Sequence, residues 1–185
     1  MHAIDQARST IDAANAADPQ GDALAYADAI EHWLGRLVPE PSPALHIAAR
    51  GQHLERWAIP REDYPMDRPG YHRWRMAVHA RQGERAVALL QGIVGPELAE
   101  RVSDLVSKRA DDDPEGQALE DAACLVFLDR ELEDFDAVHP GYSDQQYLRI
   151  FRRTVKKMSP AALALATEIT LPPRFAALLR VAGRE

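Results

Sequence analysis

The chain of 185 residues holds a single cysteine, Cys124. That excludes an internal disulfide and any zinc site built on several thiolates. Cys124 sits in an apolar helical run, so its expected role is that of a small buried hydrophobe. Glycine-rich phosphate signatures are also missing. There is no P-loop, no dinucleotide fingerprint and no serine elbow. No stretch is apolar for the length a membrane helix requires, and the opening MHAIDQARST is too polar for a signal peptide, so a cytoplasmic protein with no membrane partner is expected. Strand-type alternation, repeats and low-complexity tails are lacking as well. Positive charge is in deficit: the formal net charge is −7. This argues against broad nucleic-acid or acidic-membrane binding, while permitting a local basic site.

What the sequence does contain is helical periodicity in a composition that is 46% hydrophobic and 28% charged, the profile of a soluble globule. An all-α, compact multi-helix fold is expected, with one domain over 1–185. Ala3, Ile4, Ala7, Ile11 and Ala14 mark a first helix, which Asp18-Pro19-Gln20-Gly21 breaks. A second covers 22–37, with Ala23, Tyr26, Ile30, Trp33 and Leu37 on one side. Ser42 then caps a third, Pro43 suits its first turn, and LHIAARGQHLERW carries it through 45–57 until Pro60 limits it. Gly51 and the alanines of this helix allow another helix to approach closely. Arg50 and His53 make it a candidate site wall, the plainer alternative being a solvated Arg50 and a structural His53.

Residues 58–72, AIPREDYPMDRPGYH, cannot form a continuous helix. Their tyrosines and arginines suit either a cover over a ligand or an ordered surface loop. A helix over 71–93 follows, with Arg75, His79, Gln82, Ala86 and Leu90 at helical spacing. The next contains Leu98, Val102, Leu105 and Val106 and ends in the acidic turn of Asp111, Asp112 and Asp113, read as a solvated link. A helix over 116–135 carries Asp121, Leu125, Leu128 and Leu132 on one face. A carboxylate at the head of an apolar stripe needs a metal, an arginine or the amides of a helix start. Ser143 and Gln146 form a capping box before a helix whose Arg149, Arg152, Arg153, Lys156 and Lys157 either face water or contact phosphate or a protein partner. Two shorter helices follow, beginning at Ser159-Pro160 and after Pro172-Pro173.

His53, His79 and Asp121 thus fall on three different expected helices. Two imidazoles and a carboxylate are a donor set for a divalent ion able to bind phosphate oxygens and activate water, or else three ordinary packed residues. AARGQHLERWAIPREDYPMDRPGYHRWR, HARQGERAVALL and QALEDAACLVFLDRELEDF resemble the DUF4202 family across nearly the full chain. That family is similar in pattern to HD-domain phosphohydrolases, helical metalloproteins that hydrolyse phosphate esters of nucleotides. The resemblance implies an HD-like fold, with His53, His79 and Asp121 as ligands of a divalent ion (Mn, Fe, Co, Ni, Zn or Mg). The HD pattern's histidine-aspartate pair falls on His53-Leu54, and its first-helix histidine falls on Tyr26, so two ligands are replaced. Arg50, Arg61, Arg68 and Arg75, with Tyr26, are the expected contacts for a small anionic or phosphorylated molecule. The implied activity is metal-dependent hydrolysis of a nucleotide or other small phosphate ester. The alternatives are a non-catalytic binder of an anionic metabolite and a partner-binding protein using helix 149–157.

Overall fold

The computed structural model describes residues 2–110 and 113–183, so Asp111 and Asp112 of the acidic turn lie outside the described residues. It is all-α: 74% helical, with no strand among the described residues. The α-helices are α1 (Ala3–Asn15), α2 (Asp22–Leu37), α3 (Pro43–Arg50), α4 (Arg68–Leu90), α5 (Pro96–Val106), α6 (Pro114–Val126), α7 (Leu132–Val138), α8 (Asp144–Lys157), α9 (Pro160–Ala166) and α10 (Pro173–Ala182). Proline occupies the first turn of α3, α4, α5, α9 and α10, where its missing N–H costs no hydrogen bond. The chain divides into two compact units, Met1–Gly116 and Gln117–Glu185.

In the first unit α3 is the central element. Leu45, Ile47, Ala48 and Ala49 are buried, and α3 packs on α1, α2 and α5. Ser42 caps it as expected, its hydroxyl accepting from Leu45 N at 3.1 Å. The small residues do permit close packing. A Cβ on Gly51 would meet Val106 Cγ2 at 2.8 Å, and one on Gly83 of α4 would meet Ser103 Oγ of α5 at 2.9 Å.

The expected helix over 45–57 ends early, at Arg50. Beyond it the chain closes short turns of 3₁₀ type: Gly51 N to Ala48 O, Leu54 N to Gly51 O and Arg56 N to His53 O. Glycine propagates a helix poorly, Leu54 is fully buried, and Glu55 takes the left-handed conformation at φ 46°. His53 therefore sits in a turn, not on a helix. The segment up to α4 is irregular but ordered. Arg61 donates to the carbonyls of Tyr64 (3.0 Å) and Pro65 (2.8 Å), and Trp74 Nε1 donates to Ile59 O at 2.8 Å. Asp67 caps α4 by accepting from Gly70 N at 2.7 Å. Gly70 is required there, since a Cβ would lie 2.0 Å from the Pro65 carbonyl oxygen.

In the second unit the expected single helix over 116–135 is interrupted. A π-helical turn, Phe127–Glu131, separates α6 from α7. The wider turn keeps both Leu128 and Leu132 buried while Asp129 and Arg130 remain exposed. Cys124 is buried, as expected. The Ser143–Gln146 capping box is present at the start of α8. On this helix Tyr147 and Phe151 are fully buried and meet Phe175 of α10 at 5.0 and 6.1 Å between ring centroids. Arg149, Arg152, Arg153, Lys156 and Lys157 are all exposed, and Lys157 bonds Glu120 at 2.7 Å.

Candidate functional site

Two residues singled out from the sequence meet in the first unit. The Tyr26 ring of α2 lies on the His53 imidazole with centroids 3.4 Å apart and planes 7° from parallel. Burial is the main force holding the His53 imidazole well below the ordinary histidine range, and the nearby charges of Arg56, Lys108 and His79 act in the same direction. His53 is consequently neutral at physiological pH, with lone-pair capacity on its ring. His79 comes from α4, Arg56 from the turn after His53, and Lys108 from the end of α5, where it takes a left-handed backbone at φ 59°. The Lys108 ammonium nitrogen is itself buried. Four elements of one unit thus bring a stacked aromatic pair, a second imidazole and two cations together.

Arg56 and Lys108 did not emerge from the sequence. Arg56 lies within the motif LERW but belongs to a turn that helical periodicity does not describe. Lys108 precedes an acidic run, and its approach to His53 depends on the left-handed turn at its own position.

The arginines expected to meet an anion have diverse placements. Arg50 is only 5% exposed and is committed to three carboxylates: Asp12 at 2.7 Å, Asp28 at 2.6 Å and Glu31 at 3.0 Å. Burial alone would lower its proton affinity; hydrogen bonds to Asp28 and Asp12 outweigh that and raise it. Glu31 also takes Arg8 and, at 3.3 Å, His46 Nε2. This network ties α1 and α2 to α3. Arg61 holds the carbonyls of its own loop, with its guanidinium 5.9 Å from the Tyr71 and Trp74 ring centroids. Arg75 lies 6.0 Å from the centre of the Tyr71 ring, and Arg68 is exposed.

Asp121 belongs to the second unit. It is 3% exposed, and its Oδ1 accepts from Gln117 Nε2 at 2.9 Å and from Ser159 N at 2.8 Å. Ser159 is the N-cap of α9, so of the partners open to a buried carboxylate the structure supplies a helix-start amide. Among the described residues no group of three or more His, Cys, Asp and Glu side chains is placed to hold a metal ion. Among the same residues no helix is long and apolar enough to cross a membrane.

The family model described as Domain of unknown function (DUF4202) matches residues 5–179. No curated protein and no solved structure gives a match. Since the family match spans both units and all but the ends of the sequence, the chain belongs to the DUF4202 family.

Proposed function

We propose that the His53 cluster receives a small anionic molecule, with a phosphate monoester as the best-fitting class. One observation carries this reading: two cations, Arg56 and Lys108, and a second imidazole, His79, all act electrostatically on one half-buried neutral imidazole that is stacked on the Tyr26 ring. Such a place repels a lone cation and attracts a compact oxyanion. The guanidinium and ammonium groups supply charge-assisted N–H donors. A neutral imidazole supplies one further N–H and one acceptor, the latter suited to a protonated phosphate oxygen. The Tyr26 ring fixes the plane in which the imidazole presents those atoms. Arg50 is excluded from the contact set because carboxylates already occupy its fork.

Metal-dependent hydrolysis of such an ester, as the HD-like pattern implies, is the second reading. The specific support is that His53 is neutral and has His79 for a neighbour, which gives two nitrogen donors of the kind Mn²⁺, Co²⁺, Ni²⁺ or Zn²⁺ accept. His53 and His79, both in the first unit, would hold the ion. A bound ion would polarise a phosphoryl oxygen and acidify water. The chain's own part is to hold the His53 imidazole neutral and to offset the phosphate charge with Arg56 and Lys108.

The test is calorimetric titration of the folded protein with inorganic phosphate and with p-nitrophenyl phosphate, each with and without Mn²⁺, followed by analysis for released nitrophenol. Binding weakened by Lys108→Met and by His53→Ala supports the site. Product formed only with metal supports the second reading. Binding equal in the wild type and both variants contradicts the site itself.

A further inference from the structure

The turn that carries His53 holds its least comfortable backbone at Glu55, whose φ of 46° places a long, non-glycine side chain in the left-handed region. Glycine would adopt that conformation without steric cost, and asparagine at less cost. What Glu55 offers in return is its carboxylate. It is largely buried, with its side chain 15% exposed. Arg85 grips it in bidentate fashion, Nε at 2.9 Å to Oε2 and a terminal nitrogen at 2.8 Å to Oε1. Arg81 adds a third grip at 2.8 Å to Oε2. Fork-to-carboxylate geometry of this kind fixes direction as well as position.

Both arginines lie on α4, two and six residues beyond His79 on that helix. Glu55 lies two residues after His53 and one before Arg56. The backbone between them is short and closed, with Arg56 N bonded to His53 O at 3.1 Å and Leu54 fully buried. A displacement of Glu55 therefore moves His53 and Arg56 together. Resting on the reading of the His53 cluster as the site, we propose that Glu55 is a positioning residue. Clamped by Arg81 and Arg85, it fixes the turn bearing His53 and Arg56 against the helix bearing His79. The strained backbone persists because the surroundings over-determine it, the circumstance in which such strain occurs at functional sites.

Glu55→Gly separates this role from mere turn formation. Glycine relieves the backbone strain, so a residue that served only the turn would leave a protein at least as stable, with the His53 surroundings unchanged. The readout needs no ligand: proton NMR of histidine-labelled protein at fixed pH. In the wild type the Tyr26 ring, 3.4 Å from the imidazole centre, shifts the His53 ring protons upfield and gives nuclear Overhauser contacts between the two rings. In Glu55→Gly those contacts vanish and the ring protons move to solvent-like positions. Glu55→Gln, whose one amide oxygen can take the Oε2 place and accept from Arg81 and from Arg85 Nε, retains both signatures. The pair Arg81→Met and Arg85→Met, made together, reproduces the Glu55→Gly spectrum from the other side of the clamp, and it serves in place of Glu55→Gly should that variant fail to fold.

Inorganic phosphate affinity follows the spectrum. Glu55→Gln stays near wild type, while the double methionine variant loses about tenfold, the worth of one charge-assisted hydrogen bond. A folded Glu55→Gly or double methionine protein with the ring contacts and shifts of the wild type overturns the proposal. Wild type that binds no phosphate but shows the predicted spectral changes overturns the site reading and leaves the positioning role standing.

Discussion

The Tyr26 ring lies flat on the His53 imidazole, with centroids 3.4 Å apart and an interplanar angle of 7°. The stack joins α2 to the turn after α3 and gives a polar ring a hydrophobic face. Aromatic pairs contribute about 1 kcal/mol beyond the area they bury. Tyr26→Leu is therefore expected to lower unfolding stability by about 1 kcal/mol in urea. Tyr26→Phe, which keeps the ring, should stay within about 0.5 kcal/mol of wild type. Equal loss in both variants would place the stabilisation in the phenol hydroxyl and not in the stack.

His53 also predicts a pH dependence of stability. Its native pKa is lowered, chiefly by burial and then by Arg56, Lys108 and His79, whereas in the unfolded chain it is about 6.5. Above that value neither state carries the proton and His53 contributes no slope. As the pH falls through about 6.5 the unfolded state takes up a proton that the native state refuses, so stability is lost, at up to about 1.4 kcal/mol per pH unit. Thermal melts from pH 7.5 down to 5 should show this loss in the wild type and a shallower one in His53→Gln. Identical slopes would mean that the imidazole protonates freely in the folded protein.

Arg50 shows where legibility in the sequence stops. Its helix, its burial-prone neighbours and its Ser42 cap follow from local spacing, as do nearly all the helices and the absence of a sheet. Its partners do not, because Asp12, Asp28 and Glu31 lie far off in the chain and no local pattern pairs them. The same holds for the site. His79 could be picked out by residue type and helical register, His53 by residue type alone because its expected helix ends at Arg50, and Tyr26 through the resemblance. Arg56 and Lys108 could not, since left-handed turns at Glu55 and Lys108 redirect the chain where a helical reading continues it. The π turn after Val126 escaped for a related reason: residues on both sides keep a helical pattern.

Removing a partner from a buried ion pair costs about 3 kcal/mol or more, because a charge is left uncompensated. Arg50→Met should approach the low end of that range, since Asp28 is mostly exposed, with a side chain 68% accessible, and can rehydrate. Arg50→Lys, where it folds, should leave phosphate affinity unchanged. A specific loss of phosphate binding in that variant would return Arg50 to the contact set.

At Asp121 the carboxylate accepts from the Ser159 amide. Asp121→Ala leaves that N–H without its acceptor and should cost about 2 kcal/mol, while Asp121→Asn, still able to accept, should cost less. Under the metal reading, His53→Ala and His79→Ala also weaken Co²⁺ or Mn²⁺ binding far more than Asp112→Ala does, and binding weakens on acidification. Calorimetry on the folded variants decides this. Unchanged metal affinity in Asp121→Ala assigns the residue to the start of α9 alone.

An oxyanion bound beside His53 must register on that imidazole itself. Protein labelled with ¹⁵N in its histidine rings is titrated with inorganic phosphate at constant pH and ionic strength. Saturable shifts of the His53 and His79 ring nitrogens are expected, with His2 and His32 silent and the His53 response lost in Lys108→Met. Shifts that never saturate, or that are the same in Lys108→Met, contradict such binding.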